Sequence, residues 1–238
     1  MKKFWGFLLV IVLMTSCGEY QSLLKSNDYN LVYKKAIEYY NKGDYQRAMN
    51  LLDGVRSVFV GQAKAQNIAY YRAFCSYNMK DYQIASDLFK QFIQTYPESS
   101  FAEECLYMMG FCDYKASPKP RLDQQVTEKA IREFQLYLSR YPYSMRKDKV
   151  NTYMDEMRDK LSYKAYLSAK NYYLREHYKA AVISLQNCLK DYPGSKYREE
   201  IMYMLFVSKY QMAVNSVEDK KVERYNNCLL YTSDEADE

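Results

Sequence analysis

The chain has 238 residues, a formal net charge of +5, one His and 48% hydrophobic residues. So mild a charge does not match the clustered basic face of a nucleic-acid binder, and a single His disfavours many hydrolytic and metal-dependent mechanisms. Tyr is the outlier at 28 copies, against 7 Gly and 5 Pro; so few breakers predict long helices, and no stretch sustains the period-2 alternation of a strand.

The amino terminus fixes the compartment. Met1-Lys2-Lys3 is a short positive segment, and Phe4 to Met14 is an apolar run of 11 residues. That run is too short to cross a bilayer as a helix, which needs about 20 residues, but it suits the core of a secretory signal. It ends in Leu13-Met14-Thr15-Ser16-Cys17-Gly18, which resembles a bacterial lipobox. Met14 and Thr15 depart from its commonest letters, so the match rests on Ser16-Cys17-Gly18. A plain signal peptide with an incidental Cys is the alternative. Residues 1–16 are thus expected to be a signal peptide, and Cys17 the lipidated new amino terminus. Its removal takes away Lys2 and Lys3 and leaves +3. Two or more acyl chains hold a protein stably on a membrane, as one does not. Residues 17–29 are expected to form the lipidated Cys and a tether, 30–227 the folded part.

Three Tyr-Pro steps then recur, at Tyr96-Pro97, Tyr141-Pro142 and Tyr192-Pro193. Pro cannot continue a helix, so each marks a helix end. Twelve residues before each Pro stands an Ala with a bulky residue four further on: Ala85/Phe89, Ala130/Phe134 and Ala181/Leu185. Ala48/Leu52 fits the same slot, with Val60 in place of Pro. Upstream, a small residue recurs at Ala36, Ala73, Gly110 and Ala169, with Phe206 departing at a fifth slot. The steps 36–73–110 and 169–206 are all 37 residues. This is the pattern of the tetratricopeptide (TPR) unit. The expected fold is all-α: a TPR solenoid of about five helix-turn-helix repeats in a right-handed superhelix. Ser117 to Gln125 lengthens the turn inside repeat three, and Val150, Tyr153, Met154, Met157 and Leu161 extend the first helix of repeat four.

Counting from the small residue as position 8, position 5 is Tyr in every repeat: Tyr33, Tyr70, Tyr107, Tyr166 and Tyr203. Position 12 is Tyr as well: Tyr40, Tyr77, Tyr114, Tyr173 and Tyr210. Residues seven apart share a helix face, so stacked repeats carry a double row of Tyr. Asn41 and Asn78 lie beside it, Asn30 and Asn67 occupy position 2, and Ile37, Phe74 and Phe111 stand at position 9 where repeat four has Lys170. One reading is a concave peptide groove, since Tyr offers large contact area with few rotors and a polar tip. It would be centred on Tyr33, Tyr40, Asn41, Tyr70, Phe74, Tyr77, Asn78, Tyr107 and Tyr114. The other reading is that these rings only pack.

No catalytic, cofactor or metal constellation is legible. His177 falls in a repeat turn, where it is expected to be solvated, and Cys75, Cys112 and Cys188 fall at packing positions. Cys105 and Cys112 are about 10.5 Å apart along one helix, too far for a disulfide. Residues 228–238 read as a non-native tail left by truncation, with no second helix completing repeat five; a genuine acidic tail is the alternative.

The anchor, the repeat number and the stretch EYQSLLKSNDYNLVYKKAIEYYNKGDYQRAM together resemble the BamD family of the Bacteroidota type, the lipoproteins of the outer-membrane β-barrel assembly machine. The resemblance covers residues 1–227. It implies a lipid-anchored, non-enzymatic scaffold on the periplasmic face of the outer membrane. It implies as partners unfolded outer-membrane proteins at the amino-terminal groove and a BamA-like POTRA barrel protein at repeats four and five, with no nucleic acid, cofactor or small-molecule substrate. Arg198 aligns, across a one-residue gap, with a family Arg at that partner contact; it would equally serve as a solvated Arg at a helix start. The rival is another TPR lipoprotein acting as a cell-envelope adaptor.

Overall fold

The computed structural model describes the backbone of residues 19–234 and side chains through residue 226; Cys17 and the signal segment lie outside the described residues. Among the described residues there are helices and no strand, an all-α helical-repeat fold. A short α1 (residues 19–24) is followed by five pairs: α2 (Tyr29–Asn41) with α3 (Tyr45–Val55), α4 (Lys64–Asn78) with α5 (Tyr82–Thr95), and α6 (Ala102–Ala116) with α7 (Gln125–Arg140). Then come α8 (Lys147–Leu174) with α9 (Tyr178–Asp191), and α10 (Arg198–Val214) with α11 (Glu218–Asp234). No described helix is long and apolar enough to cross a membrane.

Local chemistry sets the helix limits. Asp28 caps α2, its carboxylate accepting from the Leu31 amide at 3.0 Å, and Asp44 caps α3 through the Arg47 amide at 3.2 Å. Each satisfies an orphan donor of a first turn. The turn before α3 needs a left-handed residue, and Gly43 supplies it at φ +80°. The same slot in repeats two and four holds Lys80 (φ +67°) and Glu176 (φ +60°), where a side chain costs roughly 1–2 kcal/mol. At the far ends, Tyr96 and Tyr192 leave the helical region with φ of −128° and −134°, and Pro follows each.

The small residues do what their spacing requires. Ala36, Ala48, Ala73, Ala85, Ala130, Ala169 and Ala181 are fully buried. A methyl on Gly110 would lie 2.9 Å from Phe134 Cδ1. Phe206, the departure from this pattern, is 37% exposed.

The chain forms two compact units: one comprises the residues up to Ala116 plus Lys129–Ser144, the other Ser117–Glu128 plus the residues from Met145 onward. The first unit packs Leu51, Leu52, Ile68, Phe89, Phe92 and Phe134 out of solvent. It also contains α1, which the sequence reading assigned to the tether. Tyr20 and Leu23 of α1 are 9% and 6% exposed and belong to the core of the first repeat. The Tyr20 hydroxyl accepts from Asn50 at 3.1 Å, and its ring meets Tyr39 edge-on at 6.0 Å. Burying each of these side chains contributes about 1.5–3 kcal/mol, so α1 is a cap that closes the open end of a stack.

In the second unit Met157, Leu185, Ile201 and Leu205 form the interior. As expected, α8 is one helix of 28 residues with Val150, Met154 and Met157 buried. The inserted turn of residues 117–124 is held by Gln124, whose amide donates to the carbonyls of Lys119 (2.8 Å) and Leu122 (3.1 Å), and by Lys160 and Lys164, which reach Ser117 and Leu122. One expectation is corrected: α11 runs through Asp234, so the backbone of repeat five does have its second helix. Arg224 ties it to α10 by donating to the Met212 carbonyl at 3.3 Å.

Candidate polypeptide-binding groove

In the first unit, α2 and α4 lie side by side and present a concavity of about 500 Å³. From α2 come Tyr33, Lys34, Ile37, Glu38 and Asn41, from α4 Asn67, Tyr70 and Tyr71, and from the turn before α6 comes Phe101. The rings hold each other in place: Tyr70 lies 4.6 Å from both Phe74 and Phe101, and edge-on to Tyr71 at 5.5 Å. Such pairs contribute about 0.5–1.5 kcal/mol each beyond burial. The result is a preformed aromatic shelf with two side-chain amides, Asn41 and Asn67, and two charged side chains, Lys34 and Glu38, the latter paired with Lys35 at 3.1 Å.

The position-5 tyrosines also have a structural role absent from the sequence reading. The Tyr70 hydroxyl donates to Glu104 at 2.8 Å and Tyr166 to Glu200 at 2.7 Å, while Tyr33 meets the Asn67 side chain. In each case the partner sits 34 residues on, at position 2 of the next repeat. Burial pushes all three phenols up from their ordinary range, and at Tyr70 the Glu104 carboxylate adds to it. All three are therefore neutral throughout the physiological range, and Tyr70 and Tyr166 act as donors. In the second unit Lys170 donates to both Tyr166 and Glu200 at 2.7 Å, and the bonds that Glu200 accepts from Lys170 and then Tyr166 hold its carboxyl below its usual value.

The anticipated residues divide into two groups. Tyr33, Asn41 and Tyr70 line the concavity. Tyr40 packs between Tyr45 (5.5 Å) and Tyr71 (4.9 Å), and burial lifts its hydroxyl to about 12. Phe74 packs edge-on against Phe89 at 5.0 Å, and Tyr77 lies tilted against Tyr82 at 5.9 Å. Asn78 uses its amide on the Phe74 carbonyl, 2.8 Å away in its own helix. Tyr107 is only 7% exposed and stacks on Phe111 at 5.7 Å; Tyr114 stacks on the same ring at 5.9 Å. In the position-12 row of the first unit, Tyr40 and Tyr77 thus pack against rings of their own and the next repeat and Tyr114 against a ring of its own helix, and Tyr107 is a core residue. Tyr71, Lys34, Glu38 and Phe101 escaped the sequence reading. Tyr71 stands beside a row residue without sharing its period, and Phe101 lies in a turn.

Elsewhere, Arg198 is the half-buried first residue of α10. A second, ionic concavity of about 440 Å³ in the second unit is lined by Asp155, Arg158, Asp159 and Asp191 with Tyr192-Pro193-Gly194, without Arg198. His177 is exposed at the start of α9. Among the described residues no group of three His, Cys, Asp or Glu could hold a metal ion. Cys75, Cys105, Cys112 and Cys188 are buried free thiols.

Residues 25–224 match the family model described as YfiO, outer membrane lipoprotein. The chain belongs to the YfiO family of outer membrane lipoproteins. No curated protein matches the chain. The YfiO match agrees with the BamD-type resemblance of the first repeat. It extends through all five helix pairs up to residue 224, so the groove of this YfiO-family chain lies within the matched span.

Proposed function

We propose that this lipoprotein is a scaffold of the outer-membrane β-barrel assembly machine, anchored through lipid on Cys17 at the periplasmic face. In this reading the groove between α2 and α4 takes an extended segment of an unfolded barrel precursor, and repeats four and five, Arg198 included, engage the POTRA-bearing barrel subunit. The observation that carries the reading is the concavity itself, set within a chain of the YfiO family. Its aromatic floor suits apolar side chains, and Asn41 and Asn67 can each pair with both the N–H and the C=O of an extended backbone. An unfolded precursor offers both, because its strands alternate apolar and polar residues and its backbone is unpaired.

The test uses groove residues whose loss spares the core. Asn41 is exposed and Ile37 half-buried. The double variant Asn41→Ala, Ile37→Ser is expected to keep its circular dichroism and to bind barrel-strand peptides about tenfold more weakly, a loss of some 1.4 kcal/mol. Unchanged peptide affinity in the folded double variant would remove the groove from the account.

A further inference from the structure

The cap helix α1 constrains how the first unit meets a membrane. Only two peptide links separate Cys17 from Glu19, so their Cα atoms are at most about 7 Å apart whatever the path between them. Glu19 begins a helix of six residues, about 9 Å long, whose Tyr20 and Leu23 are buried in the first repeat. Lipid on Cys17 would therefore be coupled to a docked element rather than to a free tether. The polar layer on each side of a bilayer's hydrocarbon core is about 5–8 Å deep, comparable to this reach.

The surface of the cap suits that position. Gln21, Leu24 and Lys25 face outward, and Leu24 is 47% exposed. Tyr29, 39% exposed, shares a small concavity with Leu24. An aliphatic residue, a Tyr and a Lys are side-chain types that settle at a lipid interface. The carboxylates nearby are engaged: Glu19 pairs with Lys35 at 3.1 Å, and Asp28 accepts from the Leu31 amide. That pairing lowers the repulsion an anionic headgroup would meet.

Building on lipidation at Cys17, we propose that the outward face of α1, with Leu24, Lys25 and the adjoining Tyr29, is a lipid-contacting surface that rests in the headgroup layer and orients the first unit on the membrane. The occupant is the bilayer itself, because the covalent reach from Cys17 leaves little room for a protein to intervene.

The test uses the full lipidated chain in phosphatidylethanolamine–phosphatidylglycerol vesicles with and without acyl-brominated lipid. The only Trp of the sequence is Trp5, within the segment removed on processing, so Leu24→Trp and Leu136→Trp each give a single-Trp protein. Both positions are exposed, at 47% and 53%, so both variants should fold. Brominated lipid is expected to cut emission from position 24 about twofold, as for a side chain seated 5–10 Å into the interface, and to leave position 136 unchanged. Inserting a 20-residue Gly/Ser linker between Gly18 and Glu19, about 25 Å in r.m.s. length, should abolish the effect while lipidation persists. Equal quenching at positions 24 and 136 in a chain whose intact mass shows the lipid would overturn the contact alone. A mass without lipid would overturn the Cys17 reading and the contact with it. Quenching that survives the linker would overturn the role of covalent reach.

Discussion

Gly110 and Gly54 should respond in opposite directions to the same substitution. Both lie in helices, where replacing Gly by Ala gains roughly 0.8–1 kcal/mol of propensity. At Gly54 an added Cβ meets nothing within 4 Å, so Gly54→Ala is expected to stabilise by about that amount. At Gly110 the new methyl would sit 2.9, 3.0 and 3.3 Å from Cδ1, Cε1 and Cγ of Phe134, against an optimum of about 3.5–4.0 Å for carbon pairs. Phe134 cannot swing away, because it is fully buried with Tyr107 at 6.3 Å. Overpacking of this kind costs about 1–3 kcal/mol, which exceeds the propensity gain, and Gly110→Ala should lose about 1 kcal/mol net. Gly110→Val, with two more methyls and a stiffer χ1, should lose well over 2 kcal/mol. Urea denaturation followed at 222 nm reads both signs, and in a chain of this size 1 kcal/mol moves Tm by about 2–4 °C. A Gly110→Ala protein as stable as Gly54→Ala would refute the claim that position 8 is set by helix approach.

Other expectations follow from single contacts. Tyr70→Phe keeps the ring on Phe74 and Phe101 but loses the hydroxyl bond to Glu104; it should cost about 1–2 kcal/mol, read as a lower urea midpoint, while Tyr70→Ala should cost about 3–5. In the first unit Asp113 and Glu133 are both buried, with Lys129 donating to Asp113 at 2.9 Å and lying 3.7 Å from Glu133, and Glu133 Oε2 has no partner. Burial, then the bond to Asp113 and its charge, push the Glu133 carboxyl up to about 8. The folded state therefore holds a proton that the unfolded state releases above its ordinary value near 4.5. Stability should thus fall as pH rises from about 4.5 to 8, by on the order of a few kcal/mol, and Glu133→Gln should flatten that slope in denaturation curves taken at pH 5 and pH 8. Burial lifts the thiols of Cys75 and Cys105 to about 12, so iodoacetamide at pH 8 should leave both unmodified in the native protein and label both in denaturant, as peptide mass mapping will show.

The repeat was legible because it is a steric code. Two helices cannot approach closely unless position 8 is small, and Ala36, Ala73, Gly110 and Ala169 are readable without knowing the fold. The stops at Tyr96-Pro97 and Tyr192-Pro193 are equally local. The Tyr rows were visible, yet their roles were not. Tyr107 is buried by Phe134 and Tyr137 of the following helix, and Tyr70 bonds to Glu104, 34 residues away; periodicity within one helix carries no such information. The cap α1 was missed because two buried side chains in six residues, Tyr20 and Leu23, are too few to establish a period. Residues 228–234 look like tail by composition, and the backbone there is nonetheless helical. Of the groove, Tyr33, Asn41 and Tyr70 were anticipated; Phe101 was not, since its place depends on how the second repeat meets the third.

The assembly-scaffold account is tested most directly by purifying the lipoprotein from solubilised membranes and identifying what accompanies it by mass spectrometry. Near-stoichiometric recovery of a POTRA-bearing barrel protein is the result the account predicts. Recovery of wall-synthesis proteins or transporters, with no such barrel, would contradict the assembly role while leaving a lipid-anchored helical-repeat scaffold.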